Sequence, residues 1–97
     1  MTYAFTQDVP IDAATHDRLM KALGPELPPG LILHLASELP NGGLHYVDVW
    51  ETEGDCDRFV DERLHPALGA LLAEVFGDTM PPEPERTVLP VAHIWRP

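Results

Sequence analysis

The stretch from Gly43 to Phe59, GLHYVDVWETEGDCDRF, crowds histidine, carboxylate, indole and thiol into seventeen residues of a 97-residue chain. Histidine titrates near neutral pH and is the natural general base, and a carboxylate beside it fixes the tautomer that leaves one ring nitrogen with its lone pair. On that ground His34, His93 and Asp48 are the candidate catalytic groups, two bases and an orienting acid. His16, Trp50 and Phe59 are the candidate substrate contacts: two flat apolar surfaces, and an imidazole on the apolar stripe of a predicted helix. Each has a plainer alternative. His34 and His93 fit partly buried strand residues satisfied by backbone or by a partner, Asp48 fits a pairing across an interface, and His16 fits a helix-edge histidine with its tip in water.

Other chemistries find little support. A metal site needs three or four convergent ligands; the five histidines show no pair at metal-binding spacing within one helix, and there is no cysteine cluster, so no metal is expected. The single cysteine, Cys56, has no internal disulfide partner and suits a buried packing role in a reducing compartment. Gly42 and Gly43 are explained by a turn, and nothing resembles a phosphate loop or a nucleophile elbow. Net charge is −10, and six basic residues scattered along the chain leave no patch for phosphates, which argues against nucleic acid and anionic membrane as partners. "MTYAFTQDVP" carries neither a basic start nor an apolar core, and a cytoplasmic location is the expectation.

The elements that must position these groups follow from periodicity and punctuation. At this length one domain, residues 1–97, with a single core is expected. Residues 2–9 alternate as a first strand, ended by Pro10. Asp12 can cap a helix bearing His16, Leu19, Met20 and Leu23 at i, i+3, i+4, i+7, stopped by Gly24 and Pro25. "LILHLA" (31–36) is short enough for a strand, "PNGG" (40–43) signals a hairpin, and the quoted stretch is the returning strand. A hairpin loop of two or four residues places His34 on the face of His45, Val49 and Glu51; a three-residue loop places it beside Asp48 and Trp50. Thr52 with Asp55 resembles a capping box for a second helix, and the acids from Glu51 to Asp57 sit near its positive end. Pro66 predicts a kink or break near His65, since it cannot donate to the Glu62 carbonyl. A proline-rich linker, "GDTMPPEPER", leads to a last strand "TVLPVAHIW", placed at an edge or bulge by Pro90.

Strand, helix, strand, strand, helix, strand is the split unit of a ferredoxin-like α+β sandwich, a four-stranded antiparallel sheet with two helices on one face. Leu31, Leu33 and Leu35 oppose Ile32, His34 and Ala36, so the strands are apolar on both sides. Two helices cover one face only. Burying the other against a second copy of the sheet predicts a two-fold homodimer.

With that order of elements, the strand "YVDVWET" running into "EGDCDRFVDERLHPAL" and the terminal "VAHIWRP" resemble the dimeric α+β barrel superfamily, and within it the small antibiotic biosynthesis monooxygenase-like proteins. A tryptophan late in the third strand followed by Ser or Thr and acids recurs there, matched by Trp50 and Thr52. Haem-degrading members use a first-strand Asn and a Trp and His on the second helix; here Phe59 and Gly69 stand near those helix positions and the first strand has no Asn. The resemblance therefore implies a cofactor-free oxygenase acting on a phenolic or polyketide-like substrate, with an apolar pocket between helices and sheet and a base that forms the electron-rich anion. The alternative is a non-catalytic homodimer that binds a small apolar or aromatic molecule or serves as a scaffold. A real cavity faced by polar groups favours the first, and a filled interior the second.

Overall fold

Alternation and punctuation place the elements in the computed structural model, which describes residues 2–97. Strand β1 (Tyr3–Val9) ends at Pro10, and the Asp12 side chain accepts the Thr15 N–H at 2.8 Å to start helix α1 (Ala13–Leu23). Gly24, at φ +86°, ends α1, and its N–H returns to the Met20 carbonyl. Strands β2 (Leu31–Glu38) and β3 (Leu44–Trp50) form the hairpin. Thr52 then caps helix α2 (Glu53–Phe59) by accepting the Asp55 N–H at 3.1 Å, with Glu53 and Asp55 in the first turn where the helix dipole favours negative charge. After helix α3 (His65–Phe76) the chain closes with β4 (Thr87–Leu89). The sheet order is β2-β3-β1-β4, every pair antiparallel, with the helices on one face: the ferredoxin-like α+β sandwich.

Two local expectations change in form. Pro66 does not break the second helix: the segment Val60–Leu64 widens into a π turn, in which the His65 N–H reaches the Val60 carbonyl, five residues back, and α3 begins with Pro66 in its first turn. A proline there lacks only a donor that a helix start leaves unpaired anyway, so the wide turn absorbs the clash that an unbroken α-helix would suffer. The last strand is also shorter than expected. β4 lies at the sheet edge but stops at Leu89, where Pro90 has no N–H to extend the ladder, and His93 falls outside any strand.

The centre of the core is Phe5, Trp50 and Cys56, with Tyr3, Leu31, Phe59 and Val60 packed around it. Trp50 is 1% exposed at the end of β3, where sheet and α2 meet. The connector before β2 comes so close to α2 that a Cβ on Gly30 would overlap the Asp55 carboxylate, at a φ of +87° that side-chain-bearing residues rarely adopt. The face turned away from the helices carries Leu33, Leu35 and Leu89, exposed by 49%, 50% and 39%. Among the described residues no helix is long and apolar enough to cross a membrane.

Candidate active site

Hairpin register decides what His34 can do. The loop between β2 and β3 has five residues, 39–43, tied by the Leu39 N–H to the Gly43 carbonyl at 2.9 Å and by the Gly43 N–H to the Asn41 side chain at 2.9 Å. An odd loop pairs His34 with Asp48 across the strands, and both side chains turn toward the helices. Tyr46 and Trp50, two residues to either side of Asp48, share that face.

His34 Nδ1 donates to Asp48 Oδ1 at 2.6 Å, and the Trp50 indole N–H donates to Asp48 Oδ2 at 3.2 Å. A carboxylate only accepts, so the proton of neutral His34 sits on Nδ1 and its Nε2 carries the lone pair. That Nε2 lies 3.2 Å from Nε2 of His16, which α1 brings across the cleft with its ring stacked on that of His34, centroids 5.4 Å apart. The Tyr46 ring stands edge-on to both imidazoles. The result is one line from Trp50 through Asp48 and His34 to His16, with room for one additional proton on the imidazole pair.

Electrostatics favour keeping His16 neutral. Burial lowers its pKa below the ordinary histidine value, and the neighbouring His34 lowers it further. Burial raises the Tyr46 hydroxyl well above the ordinary phenol value, with the Asp48 charge adding to it, so Tyr46 stays protonated at neutral pH. Cys56, also at the cavity wall, is 1% exposed, and burial pushes its thiol up to about 11. It is a packing residue and not a nucleophile.

These groups face a cavity of about 960 Å³ between the helices and the sheet, at the upper end of the ~300–1,000 Å³ usual for small-molecule sites. Phe5, Trp50, Phe59 and Leu68 give it flat and aliphatic walls, and Met80 and Pro81 of the proline-rich segment border it. Of the six expected site residues, five line this space: His16, His34, Asp48, Trp50 and Phe59. His93 does not. It is exposed beyond the end of β4 and borders no part of the cavity.

His45 and Glu51 of the opening stretch have other partners. His45 bonds Asp8 across β1 and β3 on the outer sheet face, and Glu51 pairs with Arg96 at 2.6 Å. Tyr46 and Arg63 are among the cavity residues outside the expected set. Tyr46 was accessible from the two-residue period of β3 once Asp48 and Trp50 were placed on the inner face. Arg63, from the π turn, falls on the buried side of the second helix by periodicity, which gives its stem a place but not the partners of its guanidinium. Among the described residues no three His, Cys, Asp or Glu side chains are grouped to hold a metal ion.

No family model and no curated protein matches the chain. Among solved structures it is similar to a candidate antibiotic biosynthesis monooxygenase from Deinococcus radiodurans, with a TM-score of 0.54 and 15% identity, over 99% of this chain and 97% of that one. The likeness runs nearly end to end in both chains. It shows that the two chains share a fold.

Proposed function

We propose that this ferredoxin-like protein is a cofactor-independent oxygenase for a planar phenolic or polyketide-like molecule. The observation that carries it is the Asp48–His34–His16 line on the floor of an apolar cavity. A base held by a carboxylate, with a second imidazole in hydrogen-bond reach, is what removing a phenolic proton requires near neutral pH. The substrate hydroxyl gives its proton to the imidazole pair, and the ring becomes an electron-rich anion. Molecular oxygen then accepts four electrons in all: one oxygen atom enters the ring as a carbonyl where a C–H bond breaks, and the other leaves as water. The atoms balance as phenol plus O₂ giving quinone plus water, with no further reductant.

The test is incubation of the purified protein with hydroxynaphthalenes and anthrone-type phenols under ¹⁸O₂. One labelled carbonyl oxygen per product, formed faster than without protein, is the expected outcome. Tight binding with no product above the uncatalysed rate would leave the non-catalytic ligand-binding protein as the better account.

The assembly we infer is a homodimer closed by the outer sheet face. Leu33, Leu35 and Leu89 leave an apolar surface there that a second copy would remove from water. The double substitution Leu33→Glu and Leu35→Glu is expected to convert a dimer into a folded monomer in sedimentation equilibrium at micromolar concentration. A wild-type protein that sediments as a monomer would refute the assembly.

A further inference from the structure

The chain has six basic residues against sixteen acids. Five of the six lie within reach of a carboxylate: Arg18 with Glu74 at 2.6 Å, Lys21 with Asp17 at 3.1 Å, Arg58 with Asp55 at 3.3 Å, Arg86 with Asp57 at 3.6 Å, and Arg96 with Glu51 at 2.6 Å. Arg63 is the exception. Among the described residues no carboxylate lies within 4.0 Å of its guanidinium, and it is half-buried and lines the cavity.

Its position is fixed without a counter-charge. The π turn carries Arg63 toward α1, where Nη2 donates to the carbonyls of Leu23 at 2.9 Å and Glu26 at 3.1 Å, and the guanidinium carbon sits 5.5 Å from the centre of the Phe59 ring. Those bonds involve one of its three nitrogens; Nη1 and Nε have no protein partner among the described residues. Phe59 in turn packs on Trp50 at 5.5 Å, and the Trp50 indole bonds Asp48. A succession of contacts thus links Arg63, through Phe59 and Trp50, to Asp48 and the imidazole pair, all of them on the cavity wall.

We infer that the ligand is an aromatic acid: a planar phenol whose anionic substituent, a carboxylate, is received by Arg63 while its hydroxyl lies at His34 and His16. This rests on the oxygenase proposal for the hydroxyl end and adds the substrate's charge. A guanidinium offers directed donors to a carboxylate, and in a partly desolvated site the pairing is stronger than at the surface. In a protein of net charge −10 such a ligand is repelled at long range, so a local cation is the feature that makes its binding selective.

The test compares 6-hydroxy-2-naphthoate with its neutral amide by isothermal titration at low salt. Wild type is expected to bind the acid at least tenfold more tightly than the amide. Arg63→Gln, which keeps a donor for the connector carbonyls, is expected to bring the two within twofold by weakening the acid alone, while Arg86→Gln keeps the preference. The Arg63 Nε–H resonance of the wild-type protein should move on adding the acid and not the amide, which gives the same answer if the Arg63→Gln protein does not fold. Equal affinities in wild type, or a preference that survives Arg63→Gln, would overturn the inference. If the amide binds and is oxidised as well as the acid, this inference fails and the oxygenase stands. If neither ligand binds, both fail.

Discussion

Replacing His34 with alanine is expected to lower kcat for phenol oxidation by about 10²–10⁴-fold, the range a positioned general base contributes, with the fold and the affinity for a non-ionising ligand retained. The size follows from geometry. Among the described residues only His34 is hydrogen-bonded to both Asp48, at 2.6 Å, and His16, at 3.2 Å, so its removal disconnects the carboxylate from the second ring. Asp48→Asn leaves an acceptor for the Nδ1 proton but removes the charge. Its loss should be smaller, roughly 10–100-fold, if a hydrogen bond to a charged group contributes ~1.5–3 kcal/mol. Because the two act as a unit, the double variant should be no slower than His34→Ala alone. Initial rates of oxygen uptake at saturating substrate, with far-UV spectra of each variant, measure this. Full turnover in His34→Ala would remove the proposed base.

The second large effect is on stability. Trp50→Ala should cost about 3–5 kcal/mol, the usual range for emptying a large buried aromatic site. Trp50 is 1% exposed, touches Phe5 and Cys56 in the centre of the core, and packs on Phe59 of α2. Its removal opens a void where sheet and helix meet, against a total stability of ~5–15 kcal/mol for an ordinary domain. Trp50→Phe keeps most of the packing and loses the indole N–H to Asp48, and should cost about 1–2 kcal/mol. Urea midpoints at constant m-value separate the two. An alanine variant within 1 kcal/mol of wild type would show that the neighbouring helix collapses onto the space.

How much of this was legible beforehand differs by residue. The order of elements, the Asp12 and Thr52 caps and the end of β1 before Pro10 follow from local chemistry and are where the sequence places them. The pairing of His34 with Asp48 does not follow from local chemistry, because "PNGG" is compatible with odd and even loops and one residue of loop length moves His34 to the other face. His93 was assigned to the last strand from apolar alternation that continues past Pro90; a missing N–H at the sheet edge ended the ladder first. For Arg63 the periodicity places the stem on the buried side of the second helix, but not the partners of its guanidinium. Its contacts to Leu23 and Glu26 lie 40 and 37 residues away, and helix periodicity alone does not show which element faces it.

The wide turn at Val60–Leu64 also keeps α2 and α3 in angular phase. An α-helix advances roughly 100° per residue, so in an unbroken helix Phe59 and Leu71, or Cys56 and Leu68, would point about 120° apart. One extra residue accommodated in the turn subtracts about 100° from that angle and brings each pair to within roughly 20°. Cys56 and Leu68 both line the cavity, as that alignment requires. Chain length across 60–64 is therefore under tighter constraint than side-chain identity: losing one residue there would rotate all of α3 while leaving every apolar residue in the sequence.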